Sequence, residues 1–177
     1  MLKIFFNDIC MSLKANPFNQ LRSAFFILVL YGIIACTIGH YGRIFEYKVL
    51  TGKIVYILPF TLFIFPAFLE ELFFRGVLIP RSSFEKSHKH KLLVVIISTI
   101  LFVIWHPFNA YLFNQGSQAL FFNSYFLAIV FILGLSCSYS YIITRSLWTP
   151  IIIHWLTVLV WVLLLGGRNL IKENRVL

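Results

Sequence analysis

The sequence predicts an all-α fold: a polytopic membrane helical bundle of about five transmembrane helices, preceded by an N-terminal interfacial helix. Three observations predict it. Of 177 residues, 60% are hydrophobic and 12% charged, about half the charged share of an ordinary soluble domain. Twenty phenylalanines are too many to hide in one small soluble core. The apolar residues also gather into five long runs, each within the roughly 17 to 25 residues that a spanning helix needs.

Residues 1–20 (MLKIFFNDICMSLKANPFNQ) mix Phe, Ile and Leu with Lys, the pattern of a helix lying in the interface rather than crossing it. The first run is Leu21–Gly39. Its IIAC stretch, Ile33–Cys36, has the look of a lipoprotein cleavage box, but the basic region before it is too long for a signal peptide. The second run, Ile54 to about Leu78, carries an acidic motif. Leu92–Phe113, Leu120–Ile143 and Trp148–Leu165 are the third, fourth and fifth. Residues 21–167 read as one membrane-embedded domain and 168–177 as a short polar tail. No internal repeat or linker interrupts it. Cys10, Cys36 and Cys137 are scattered, with no spacing for a disulfide framework or a zinc knuckle.

A formal charge of +9 raises the question of a nucleic-acid partner. The placement of the cations answers it: they sit between the spans, as juxtamembrane residues do. The expected partner is the lipid bilayer, not nucleic acid. With the N-terminus inside, Lys3, Lys14, Arg22, Arg81, Lys86, Lys89, Lys91 and Arg145 share one side. Arg43, Lys48, Lys53, Arg168, Lys172 and Arg175 share the other. The bias is slight, and the cluster RSSFEKSHKHK between the second and third spans favours a cytoplasmic loop there.

Strongly polar groups inside the spans are few: Glu70, Glu71, Arg75, His106 and His154. A charge near a bilayer centre costs about 2.5 to 3.5 kcal/mol, so FLEELFFRG needs a reason. Glu71 and Arg75 are four apart and can pair, with the glutamate N-terminal. Glu70 lies about 100° round the helix from Glu71 and has no local cation. Desolvation without a cation suits a carboxylate to general-base work. His106 stands in FVIWHPF, where Pro107 predicts that the helix kinks or ends. In SLWTPIIIHW, Thr149 and Pro150 read as an N-cap and a first-turn proline, which puts His154 one turn into its helix. Ideal spans place Glu70 and His154 on one side of the midplane and His106 roughly 9 Å away in depth.

The blocks EELFFR (Glu70, Glu71, Arg75), FVIWH (Phe102, His106) and the late His154 resemble, in that order, the CAAX-protease and bacteriocin-processing family of intramembrane glutamic endopeptidases, relatives of the Ras-converting enzyme. The resemblance covers roughly residues 55 to 165. It implies that Glu70 and His106 activate a water, that His154 stabilises the oxyanion, and that Glu71 and Arg75 hold the site, with Phe102 packing beside it. It also implies a membrane-associated protein or peptide substrate, a cell-membrane location and no cofactor. A metal-dependent version would use Glu70, His106 and His154 as ligands.

One position departs from the family. Asn or Asp usually stands four residues after the last histidine, and here that residue is Val158; neither Thr157 nor Asn109 is an obvious replacement. The chain is also short for the family, which implies fewer flanking helices. Two other functions are therefore carried forward: a non-catalytic membrane partner or immunity protein of the same fold, and a proton-coupled transporter, in which intramembrane Glu and His are common.

Overall fold

A computed structural model describes residues 2–113 and 115–167; the polar tail expected over 168–177, with Arg168, Lys172 and Arg175, lies outside the described residues. Among these residues the secondary structure is helical, without a strand. Helix α1 (Leu2–Lys14) is followed by a 3₁₀ turn, Pro17–Gln20, where the Phe18 N–H donates to the Asn16 side chain at 2.9 Å. Helix α2 (Leu21–Tyr41) is the first span. The second apolar run is not one regular helix. It divides into α3 (Ile54–Leu62), a π-helical turn over Phe63–Phe68, the short α4 (Leu69–Glu71) and a second π-helical turn over Leu72–Val77. Then come α5 (His88–Leu112), α6 (Gln118–Phe121), α7 (Ser124–Thr144) and α8 (Trp148–Leu164).

Four stretches are long and apolar enough to cross a membrane, namely Pro17–Tyr41, Ile54–Val77, His88–Leu112 and Ser124–Thr144. α8, the fifth of the expected runs, is apolar but shorter, with 17 residues, about 25 Å at 1.5 Å per residue. Bulky apolar side chains cover the outside: Phe25 is 64% exposed, Phe60 72% and Leu92 63%. Such a surface belongs in hydrocarbon, because a soluble monomer rarely exposes apolar patches of this extent.

Three boundaries differ from expectation, each for a local reason. The fourth span starts at Ser124 rather than Leu120 because Asn123 caps it, accepting from the N–H groups of Tyr125 and Phe126 at 2.9 and 3.3 Å. α5 does not end at His106 but runs through Pro107 to Leu112. Pro107 cannot donate to the Val103 carbonyl, yet the helix continues through that single missing bond. α8 begins at Trp148, with Leu147 as its cap residue and no capping side chain. Thr149 is therefore not the N-cap, its buried hydroxyl has no hydrogen bond, and His154 is nearly two turns in.

α7 is the central helix. Half of its apolar window is buried inside the protein, against about a fifth for the other spans, and it packs against α2, α5 and α8. Gly134, Cys137, Ser138 and Ser140 supply the small surface that lets these backbones approach. At one end, α1 is held by its own polar atoms. The Ser12 hydroxyl lies 2.8 Å from the Tyr141 hydroxyl, Arg81 donates to Ser12 Oγ at 3.0 Å, and the Arg81 backbone N–H donates to Asp8 at 3.2 Å. Trp148 donates its indole N–H to the Leu13 carbonyl at 2.8 Å. These bonds bring α1, the loop after the acidic motif and the α7–α8 turn to one face, in agreement with the side on which Lys14, Arg81 and Arg145 were grouped.

Candidate active site

The acidic motif stands where the second span is least regular. Phe65 leaves helical geometry (φ −125°, ψ 114°) just before Pro66, and α4 carries both glutamates between two π-helical turns. π-helical turns within helices often mark functional sites. Proline and irregular backbone at membrane depth are tolerated only against protein or a polar cavity.

Glu71 and Arg75 are both fully buried and paired, as their spacing predicts: Arg75 Nη1 donates to Glu71 Oε1 at 3.0 Å. Arg75 reaches further. Its Nη2 donates to the Gly134 carbonyl on α7 at 2.9 Å, and its guanidinium lies 4.5 Å from the Phe102 ring centre. Phe102 is wholly buried and also meets the rings of His106 and His154 edge-on, at 4.9 and 5.6 Å. One aromatic ring therefore touches the buried cation and both histidines.

Glu70 faces another way, into a cavity of about 1020 Å³ bounded by α2, the acidic segment, α5, α7 and α8. Its Oε1 accepts from the Trp105 indole N–H at 3.0 Å, and its Oε2 is buried with no hydrogen-bond partner. No salt bridge reaches it among the described residues. His106 lines the same cavity. Its Nδ1 lies 2.8 Å from the Phe102 carbonyl, which can only accept. Nδ1 thus carries the proton, and in the neutral ring Nε2 keeps a lone pair.

His154, from α8, completes the cavity wall. Its Nδ1 donates to Glu71 Oε1 at 2.8 Å, so Nε2 is the nitrogen left for the cavity. The sequence spacing had set His106 some distance in depth from the other two groups. In the folded chain Glu70, His106 and His154 all line one space. A cavity of about 1020 Å³ is wide enough to be lined by groups at different depths, and the second span between them is neither straight nor regular.

Some contributors escaped the sequence reading. Trp105 orients Glu70, and its position beside His106 in FVIWH was the available signal. The Glu71–His154 bond joins residues 83 apart, and no local pattern announces it. Val158 lines the cavity with hydrocarbon, while the Thr157 hydroxyl is turned to its own helix, donating to the Ile153 carbonyl at 2.8 Å. Among the described residues no three His, Cys, Asp or Glu side chains are placed to hold one metal ion. Glu70, His106 and His154 do not form a ligand set as they stand.

The model of one protein family, described as Type II CAAX prenyl endopeptidase Rce1-like, matches residues 52–160. The chain belongs to this family. The matched stretch contains Glu70, Glu71, Arg75, Phe102, His106, His154 and Val158, and leaves α1 and α2 outside it. No curated protein and no solved structure matches the chain. As an Rce1-like chain with several long apolar helices, it is a multi-pass membrane protein of the CAAX-protease type. The family implies substrates among membrane-associated proteins, and the cavity around Glu70 sits within the spans.

Proposed function

We propose that the protein is an intramembrane glutamic endopeptidase that cleaves a membrane-associated protein or peptide. The carrying observation is Glu70: one carboxylate oxygen is fixed by Trp105, and the other is buried and unpartnered in a cavity that His106 and His154 also line. That oxygen is free to receive a proton. In this reading a water held between Glu70 and the His106 Nε2 lone pair attacks the scissile carbonyl carbon while Glu70 takes its proton. His154, with Nε2 protonated, donates to the developing oxyanion. Its orientation comes from Glu71, which Arg75 holds in turn. General-base assistance contributes about 10²- to 10⁴-fold, and charge stabilisation in a water-poor site a comparable amount.

The substrate end that fits a membrane cavity of this kind is one carried by the bilayer, and a cytoplasmic face for the Arg81–Lys91 loop is part of the proposal. The test compares protein termini, by terminus-directed mass spectrometry, in cells holding wild type or Glu70→Gln at equal abundance. Termini that disappear in the variant support the peptidase and show its cleavage sites; identical sets of termini overturn it. A metal-dependent site would lose activity to exhaustive chelation and regain it with added metal, whereas the proposed site keeps its activity.

Val158 favours one second reading, a non-catalytic partner that holds a membrane peptide in the same cavity. A Glu70→Gln variant would then keep its binding or protective effect. A proton-coupled transporter would instead move solute under a pH gradient in proteoliposomes.

A further inference from the structure

The tetrahedral oxyanion that the proposed reaction creates needs more than one donor. The cavity wall beside His154 is poor in them. Val158 brings none, Thr157 has committed its hydroxyl to Ile153, and Trp105 has committed its indole to Glu70. Asn109 also lines the cavity, but it lies one turn beyond His106 on α5, away from His154 in sequence and helix.

A different helix brings what is missing. Tyr31 stands midway along α2, only 4% exposed, and its ring lines the cavity. Its hydroxyl is buried and makes no hydrogen bond. The Thr157 hydroxyl, one turn along α8 from His154, is close to it and has already given its proton to Ile153, so it can offer the Tyr31 hydroxyl at most a weak acceptor. A buried phenol hydroxyl that forgoes a good partner gives up roughly 1 to 3 kcal/mol, and unlike the buried Thr149 hydroxyl this one belongs to a residue that lines the cavity. Phenylalanine would fill the same volume, and this chain uses phenylalanine freely elsewhere.

We propose that Tyr31 is a catalytic residue, the second oxyanion donor, acting across the cavity from α2 in the absence of a polar group at position 158. The role rests on the endopeptidase reading above. As the water oxygen bonds to the carbonyl carbon and its proton passes to Glu70, the C=O π pair moves onto oxygen. That oxygen accepts from His154 Nε2–H and Tyr31 Oη–H. When the intermediate collapses, the C–N bond breaks, the pair goes to nitrogen, and Glu70 returns its proton to the departing amine. Tyr31 keeps its proton throughout. The donor therefore comes from a helix outside the residues that match the family.

The experiment uses full-length protein in proteoliposomes and a synthetic peptide spanning a Glu70-dependent cleavage site. Tyr31→Phe removes only the hydroxyl, and its expected effect is a fall in kcat of about 10²-fold with KM little changed. Adding Val158→Asn to Tyr31→Phe is expected to recover about tenfold or more, since it returns a donor one turn after His154. Turnover by Tyr31→Phe at the wild-type rate overturns the proposal, as does a loss carried in KM or one that Val158→Asn leaves unrepaired. If instead no cleavage depends on Glu70, the endopeptidase reading has itself failed and the role of Tyr31 goes with it. Loss in Glu70→Gln with indifference to Tyr31→Phe removes the Tyr31 role alone.

Discussion

His154 Nδ1 lies 2.8 Å from Oε1 of Glu71, across 83 residues of chain, and the same oxygen accepts from Arg75 at 3.0 Å. The second glutamate of the motif is thus the joint between two spans, a task distinct from that of its neighbour. Adjacent positions on a helix point about 100° apart, and that rotation alone sends one carboxylate into the packed interior and the other into the cavity.

Glu71→Gln is expected to be the more destabilising of the two neighbouring substitutions. It leaves the fully buried Arg75 without its counter-charge, and breaking a buried pair from one side costs about 3 to 5 kcal/mol. Glu70→Gln keeps an oxygen for the Trp105 indole and breaks no ion pair. Thermal unfolding of the purified proteins in detergent measures both. Equal melting temperatures for Glu71→Gln and wild type would show that the pair does not hold the bundle together.

Trp105→Phe tests whether the indole aims the base. An aromatic ring is kept, while the N–H that reaches Glu70 Oε1 at 3.0 Å is lost together with part of the indole's volume. A bond of about 1 to 1.5 kcal/mol translates into roughly a tenfold loss of kcat if it is needed to aim the base. The melting temperature should fall modestly through the lost ring volume, and KM should hold. The kinetic constants on the Glu70-dependent peptide decide it; an unchanged kcat would mean that the carboxylate is positioned without the indole.

Gly134→Ala tests the packing behind the site. A Cβ there would come within 2.9 Å of Thr99 Cγ2 and 3.3 Å of Phe102 Cδ1, and the Gly134 carbonyl is an acceptor for Arg75. α5 and α7 would have to separate, or Phe102 would have to turn. Overpacking of this kind costs about 1 to 3 kcal/mol. Because Phe102 touches both histidine rings, turnover should fall along with the melting temperature. A variant as stable and as active as wild type would show that the contact yields freely.

The architecture was legible because a spanning helix is a statement about composition over length, and five such runs are plain in the sequence. The pairing of Glu71 with Arg75 was legible for a similar reason: it depends only on a four-residue spacing. The site itself was legible through motif order, while its geometry was not. Whether His106 shares a space with Glu70 depends on how the Phe65–Pro66 break redirects the second span. Spacing assumes a straight helix there. Of the two outcomes that Pro107 offered, a kink or an end, the helix does not end there: it runs on to Leu112. Thr149 misled because the start of α8 is set by a tertiary contact, the Leu147 N–H donating to the Ser12 carbonyl at 3.1 Å. Tyr31 carried no signal at all: a tyrosine among apolar residues reads as packing until the cavity is seen.

The exposed bridge between Glu85 and Arg145 makes a final, opposite prediction. At 2.6 Å it is the shortest ion pair among the described residues, yet its side chains are 71% and 52% exposed. Exposed pairs of this sort contribute about 0 to 1 kcal/mol, since water already solvates both charges and two long side chains must be ordered. The face it lies on is held by other groups: Arg81 donates to Ser12 and to the Arg145 carbonyl, each at 3.0 Å, and Ser12 meets Tyr141 in the interior. Glu85→Ala should therefore leave melting temperature and turnover close to wild type. Ser12→Ala, which removes a hydroxyl shared by Arg81 and the buried Tyr141 hydroxyl, should lower stability by about 1 to 3 kcal/mol. Paired unfolding curves read the difference directly. A larger loss from Glu85→Ala than from Ser12→Ala would mean that α1 is fastened through the loop charges and not through the buried hydroxyls beneath them.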